Sequence, residues 1–203
     1  MMHGRSGSAV PSPKGLKRRD EIVGRVLAMI GDDPWGTLTL RGIARDLNME
    51  TSHLLHYFAN KDGLFQAVIL RWNSDFQDRD EGLSYIQRLP SVLSHNAEVP
   101  GIVKLYTELV AASASPEHPS HDFFRQRFEN LRRVLSSEIK QLQGRGIVSK
   151  QVDPRRTATR LLAFSDGLQM QWLVDRNIDM VQEMTSFIQE TLRVHSINAL
   201  SIR

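Results

Sequence analysis

The chain has 203 residues, 40% of them hydrophobic and 24% charged, with 26 Lys+Arg against 23 Asp+Glu and a net charge of +3. That balance suits a globular protein with a substantial core, and it is too mildly basic to argue for nucleic acid by itself. There is no cysteine, which excludes disulfides, cysteine nucleophiles and thiolate zinc sites and fits a cytoplasmic location.

Residues 1–19 carry Arg5, Lys14, Lys17, Arg18 and Arg19 and no acid. Gly, Ser and Pro fill much of the rest. The composition predicts a disordered basic arm, serving either as a solubilising tail or as a DNA contact. It lacks the apolar centre of a secretory signal. Beyond it, helical periodicity takes over. Ile22, Val23, Val26, Leu27 and Ile30 mark one face of a first helix, which Gly31 and the following Asp-Asp-Pro-Trp-Gly should stop. A short helix is expected from about Thr39, a plausible cap, to Leu47, and another over about 51–57 after a break at Asn48-Met49-Glu50. Asn60 should cap a longer fourth helix carrying Leu64, Phe65, Val68, Ile69 and Trp72.

Five more helices are expected at about 83–96, 101–114, 120–144, 154–175 and 178–196. Each break between them holds a helix breaker or capping residue. No segment alternates as a strand, no internal repeat is visible, and no apolar run reaches the ~18 residues a membrane span needs. The expected fold is all-α: a helix-turn-helix domain over 20–62, then a ligand-binding and dimerisation bundle over 63–203.

The informative segment is TLTLRGIARDLNMETSHLLHYFANK, which starts at Thr37. Two short helices around a three-residue break form a helix-turn-helix. Ile43, Ala44, Leu54 and Phe58 supply its packing. Thr51, Ser52, His53, His56 and Tyr57 turn outward, as a helix entering a major groove requires.

Thr39, Ile43, Ala44, Leu54, Tyr57, Phe58 and Lys61 stand, without a gap, where the tetracycline-repressor (TetR) family carries T, I, A, L, H/Y, F and K. The segment therefore resembles that family, closely over the first third of residues 20–196 and loosely afterwards. Asn48 replaces the family's turn glycine and Glu50 its capping serine, while Ser52, His53 and Leu55 replace Gly, Thr and Tyr.

The resemblance implies a homodimeric one-component transcriptional regulator without enzymatic activity or cofactor: a repressor released by its effector or, alternatively, a ligand-independent regulator or activator of the same fold. Its partners would be an inverted-repeat double-stranded DNA operator and a small hydrophobic effector. Thr39, Tyr57 and Lys61 would contact phosphates, Arg41 a phosphate or base, and Thr51, Ser52, His53 and His56 base edges.

In the C-terminal half, Trp72, Tyr106, Phe128 and Trp172 are the expected lining of a mostly apolar effector cavity, although core packing would use the same residues. Glu108, His121, Arg127, Asp166 and Gln171 are candidate polar anchors. Leu161, Leu168, Met184, Ile188 and Leu192 form two apolar faces late in the chain, suited either to a second copy or to packing within the monomer. His118, His121 and Asp122 invite a rival reading as a metal-binding protein or enzyme, but Pro119 interrupts the spacing and no third ligand is clear. No nucleophile elbow, phosphate loop or dinucleotide glycine pattern is present.

Overall fold

The computed structural model describes residues 12–30, 38–77 and 83–200. Among these residues the chain forms nine α-helices and a closing 3-10 turn, with no strand. The helices are α1 (Pro13–Ala28), α2 (Leu40–Asp46), α3 (Thr51–Tyr57), α4 (Lys61–Gln77), α5 (Tyr85–Glu98), α6 (Pro100–Ala112), α7 (His121–Gly144), α8 (Pro154–Val174) and α9 (Met180–Leu192), and the turn is Ile197–Leu200.

One boundary differs plainly from expectation. Residues 13–19, expected within a disordered arm, form the first two turns of α1. The Ser12 hydroxyl accepts the Gly15 N–H at 3.2 Å and Pro13 takes the first helical position, where its missing N–H costs nothing. Pro and Ser, read as disorder signals, act here as a helix start. Residues 1–11 of the arm, and the expected stop from Gly31 to Gly36, lie outside the described residues.

The other caps follow from local chemistry. The Thr39 hydroxyl accepts the Gly42 N–H at 3.0 Å at the start of α2, and the Asn60 side chain accepts the Gly63 N–H at 2.8 Å at the start of α4. Ser84 and Gln87 form a reciprocal capping box on α5. Glu138 of α7 adds its carboxylate to the same end, accepting the Tyr85 and Ile86 N–H groups at 2.6 and 2.9 Å. Burial pushes this carboxyl above its usual range, against the pull of those two hydrogen bonds.

The helix-turn-helix hinges on Asn48. It adopts a left-handed conformation (φ 51°), its N–H reaches the Arg45 carbonyl at 3.0 Å, and the Met49 N–H reaches the Ala44 carbonyl at 2.9 Å. This is a Schellman closure, a job usually given to glycine. Glu50, by contrast, stands at the N-cap of α3 without a side-chain cap bond.

Two apolar clusters hold the molecule. The first joins Ile22, Val26, Ile43, Ala44, Leu54 and Phe58 to Leu64, Phe65, Val68 and Ile69 of α4, and continues into Ile102, Leu105 and Leu109 of α6 and Phe124 of α7. The second is built from α5, α7, α8 and α9 and closes on Leu200. Arg71 of α4 ties α1 from outside, holding Asp20 and its own neighbour Asp75 at 2.6 Å each.

The left-handed turn gives a direct test. Asn48→Gly should stabilise the chain by several tenths to ~1 kcal/mol, and Asn48→Val should cost about 1–2 kcal/mol, because a β-branched residue clashes at positive φ. Urea denaturation of the two variants checks this. Equal midpoints would contradict the turn geometry.

Candidate nucleic-acid interface and internal cavity

Helix α3 buries Leu54 and leaves Ser52, His53, Leu55 and His56 exposed on its outer face. Tyr57, half-buried, steadies both imidazoles. Its ring centroid lies 5.4 Å from His53 and 5.6 Å from His56, the latter edge-on. Thr51 opens the helix and is half-buried. Arg41 is exposed on α2, while the Thr39 hydroxyl is committed to its cap.

Lys61 stands apart from this row. Its ammonium lies 5.2 Å from the Phe65 ring centroid. Burial lowers its proton affinity, and the carboxylates of Asp62 and Glu108 act in the opposite direction.

The start of α1 adds cations that lie outside the helix-turn-helix segment. Lys14, Lys17 and Arg18 are exposed along its first turns, and an open groove of about 940 Å³ separates them from His53, His56 and Tyr57. The Arg19 guanidinium crosses the Phe58 ring at 4.8 Å, fixing the α1 end to the helix-turn-helix. The groove thus has a basic wall and an imidazole-lined floor and, among the described residues, no acid but Glu21, which pairs with Arg18 at 3.0 Å. Such a surface suits an anionic backbone.

A second concavity lies inside the bundle. A pocket of about 90 Å³, partly open to solvent, lies among α4 to α8, with Trp72, Tyr106 and Phe128 on its wall. Trp172 does not line it. That ring packs in the second core under the Arg176 guanidinium, 3.8 Å from its centroid. The cavity is far smaller than the ~300–1,000 Å³ of drug-sized sites, at about three waters' share of liquid volume.

The wall is mostly apolar, as expected, but it carries more polar groups than expected. Arg88, Asn96, Arg127, Asp166 and Gln169 also line it. Of the candidate anchors, Arg127 and Asp166 are on the wall and Glu108, His121 and Gln171 are not; Arg88, Asn96 and Gln169 join them there. Arginines spaced within amphipathic helices read as solvated surface until the partner helices are in place.

Three side chains connect α4, α5 and α8 through this cavity. The Trp72 indole N–H donates to Asn96 Oδ1 at 2.8 Å, and Asn96 Nδ2 donates to Gln169 Oε1 at 2.8 Å. Trp72 also stacks on His95, with centroids 3.9 Å apart and planes within 8°. Beside them the Tyr106 hydroxyl donates to Asp166 Oδ1 at 3.2 Å. Burial pushes the Asp166 carboxyl up to about 6, against the Tyr106 hydrogen bond and the Arg127 charge, and burial likewise pushes the Tyr106 phenol up.

The late apolar faces are corrected. Leu161, Leu168, Met184, Ile188 and Leu192 are all buried within the single chain. Helix α9 lays its Met184–Ile188–Leu192 stripe against α5 and α8 of its own molecule, so that face is consumed by the monomer core. The metal reading also loses its geometry. His118 faces Asp62 at 3.7 Å and accepts the Ser120 N–H, the His121 ring meets the Ser113 carbonyl at 2.9 Å, and Asp122 pairs with Arg125 at 3.1 Å. Among the described residues no cluster of three metal-ligating side chains occurs. Among them too, no helix is long and apolar enough to cross a membrane.

Comparison with known proteins adds an independent line. Residues 27–68 match the family described as "Bacterial regulatory proteins, tetR family", and residues 91–193 match "BetI-type transcriptional repressor, C-terminal". The chain is 27% identical over 163 residues to the nucleoid occlusion factor SlmA of Idiomarina loihiensis, covering 74% of this chain and 80% of that one. A TetR transcription regulator from Haloarcula marismortui superposes with a TM-score of 0.69 at 20% identity, over 88% of this chain and 97% of its own. A transcriptional regulator from Saccharomonospora viridis in complex with choline superposes with a TM-score of 0.64 at 18% identity, over 89% and 98%.

Asp166 supplies a stability test. A carboxyl whose folded pKa lies above its unfolded value begins to cost stability as pH rises past the unfolded value, near 3.8, and the cost is complete above about 6. Asp166→Asn keeps an acceptor for Tyr106 and removes the buried charge. Its thermal midpoint should match wild type below pH 4 and exceed it above pH 6, a gain on the order of 1–3 kcal/mol. A difference that stays flat across that window would contradict the burial argument.

Proposed function

Because the chain belongs to the tetR family of bacterial regulators, and so is a transcriptional regulator rather than an enzyme, we propose that it acts in the cytoplasm as a homodimeric repressor. It binds an inverted-repeat operator and is released when a small molecule occupies the internal cavity. The observation that carries the DNA reading is the exposed row Ser52, His53 and His56 on α3, flanked by Lys14, Lys17 and Arg18 of α1. The α3 row addresses base edges in the major groove, with Thr51 at its start. The α1 cations, Arg41 and Tyr57 hold the phosphates on either side, joined by Thr39 at the mouth of α2 and by Lys61 once its ammonium swings from Phe65.

The pairing surface is the outer side of α8 and α9. Ala163, Gly167, Met170 and Val174 recur at spacings of three and four, the seam of two facing helices. Met170 is 54% and Val174 91% exposed, and a side chain added at Gly167 would meet nothing within 4 Å. Val181 of α9 extends the same apolar exposure. A second copy covering this strip would bring two α3 helices to successive major grooves about 34–36 Å apart.

Release follows from the position of α4. It begins beside α3 and ends at the cavity, so a molecule that shifts Trp72 shifts the DNA-binding helices. A coupling of ~1–3 kcal/mol would lower operator affinity about 5–150-fold. Transcript levels of the neighbouring genes in a deletion strain test the sign: a rise supports repression, and a fall makes the protein an activator.

Two experiments test the binding and the pairing. In gel shifts with DNA from flanking promoters, affinity should fall steeply with salt, as about 6–8 phosphate contacts require. Lys14→Ala with Lys17→Ala should flatten that slope, whereas His56→Ala should cost ~1–3 kcal/mol per half-site and relax sequence preference. Unchanged binding in both variants would remove the interface. For pairing, Met170→Asp with Val174→Asp should give a helical 23.1 kDa monomer by light scattering, while Ile188→Asp should unfold the chain itself by burying an unpaired charge. A dimer that survives the double substitution would overturn the α8 seam.

A further inference from the structure

We propose that the internal cavity is a receptor for a small organic carboxylate held by the guanidinium groups of Arg88 and Arg127. Its role as effector rests on the regulator reading above; its binding does not.

Two buried hydrogen-bond donors of the bundle are unmet among the described residues. Arg88 reaches the cavity from α5 and Arg127 from α7. Among the described residues, the buried Nε of each has no hydrogen-bond partner. A buried donor left without an acceptor costs about 1–3 kcal/mol, and more when the group is charged. Two guanidinium groups that line one small pocket, each with a buried donor unmet, suit an anion there, and a carboxylate offers two oxygens in the planar arrangement that guanidinium groups match.

The charge on the wall agrees. Among the described residues, Arg88 and Arg127 stand against a single lining carboxylate, Asp166, which already accepts the Tyr106 hydroxyl. Glu138, the other acid near Arg88, spends its two oxygens on the Tyr85 and Ile86 N–H groups. The remaining surface is set by Trp72, Tyr106 and Phe128, so the body of the ligand is apolar and its head is the anion. At about 90 Å³ the cavity limits that body to a short alkyl chain or a single ring fitted with some yielding of the walls.

The two rival chemistries fit poorly. A quaternary ammonium, such as the choline held by the regulator from Saccharomonospora viridis, would use the aromatic rings. Here it would meet two fixed cations, and the Arg127 guanidinium already stands 6.0 Å from the Tyr106 ring centroid. A neutral apolar molecule would leave both Nε donors unmet. A carboxylate also has a route outward. Arg88 lies two turns before Asn96 on α5, and Asn96 holds the Trp72 indole of α4.

The test titrates the full-length protein with propionate and with benzoate, at constant ionic strength. The corresponding amides and choline serve as comparators, and calorimetry and tryptophan fluorescence as readouts. At least one carboxylate should bind tenfold or more tightly than its amide and than choline. Arg88→Gln and Arg127→Gln should each weaken it by roughly tenfold or more while leaving promoter binding without ligand intact, and Arg127→Lys should weaken it less than Arg127→Gln. If the amide binds as well as the acid, if choline binds better, if neither acid binds, or if both Gln variants bind like wild type, the proposal fails. Should a variant not fold, the acid-against-amide comparison on the unaltered chain still decides. Loss of promoter binding in the ligand-free wild type would instead strike the regulator reading, so the two failures are separable.

Discussion

The rest of the molecule depends on the burial of one side of α4. Leu64, Phe65, Val68 and Ile69 are all sealed from solvent, at ~1.5–3 kcal/mol for each large side chain. The helices that meet DNA could not stand alone. Helices α2 and α3 have seven residues each, half the length at which an isolated helix becomes even marginally stable. Their inner residues Ile43, Ala44 and Leu54 find their apolar partners on α1 and α4, and α4 in turn leans on Ile102, Leu105 and Phe124. The DNA-binding end is therefore continuous in its core with the bundle behind it.

That continuity shapes the division of polar groups. On the outside, cations and imidazoles line an open groove where water and counterions keep them inexpensive. On the inside, Arg88, Arg127 and Asp166 occupy a space too small for bulk water, where an unmet donor is costly. The same residue types are thus unremarkable at one end of the chain and informative at the other. Burial alone separates the two cases.

Much of the architecture was legible because helix ends are written locally. Asn60 and Thr39 act through hydrogen bonds three residues ahead, and Gly146 closes α7 in a left-handed turn. The recognition helix was legible because Leu54 and Phe58 alternate with an outward polar row at helical spacing. What sequence spacing could not assign was the partner of an apolar face. Met184, Ile188 and Leu192 form a clean stripe, yet whether a stripe meets its own chain or another depends on where α5 and α8 lie. The cavity was half legible for the same reason: Trp72, Tyr106 and Phe128 converge there, Trp172 does not, and Arg88 joins only once α5 is seated. Pro13 misled in the other direction, since proline at a first helical position and proline in a loose tail look alike in composition.

The double grip on Trp72 has a mechanical consequence. Its edge is pinned by Asn96 and its face by His95, so the indole has no free rotation with which to absorb a displacement of α5. Motion there is handed to α4 as a rigid rod. From Trp72 back to Lys61 the rod measures about 16 Å at 1.5 Å per residue, so a tilt of about 5° at the cavity sweeps its far end by ~1.4 Å. Arg71, holding Asp20, carries α1 along the same arc. In the proposed dimer the two arcs would add, shifting a spacing matched to one turn of B-DNA by about 3 Å.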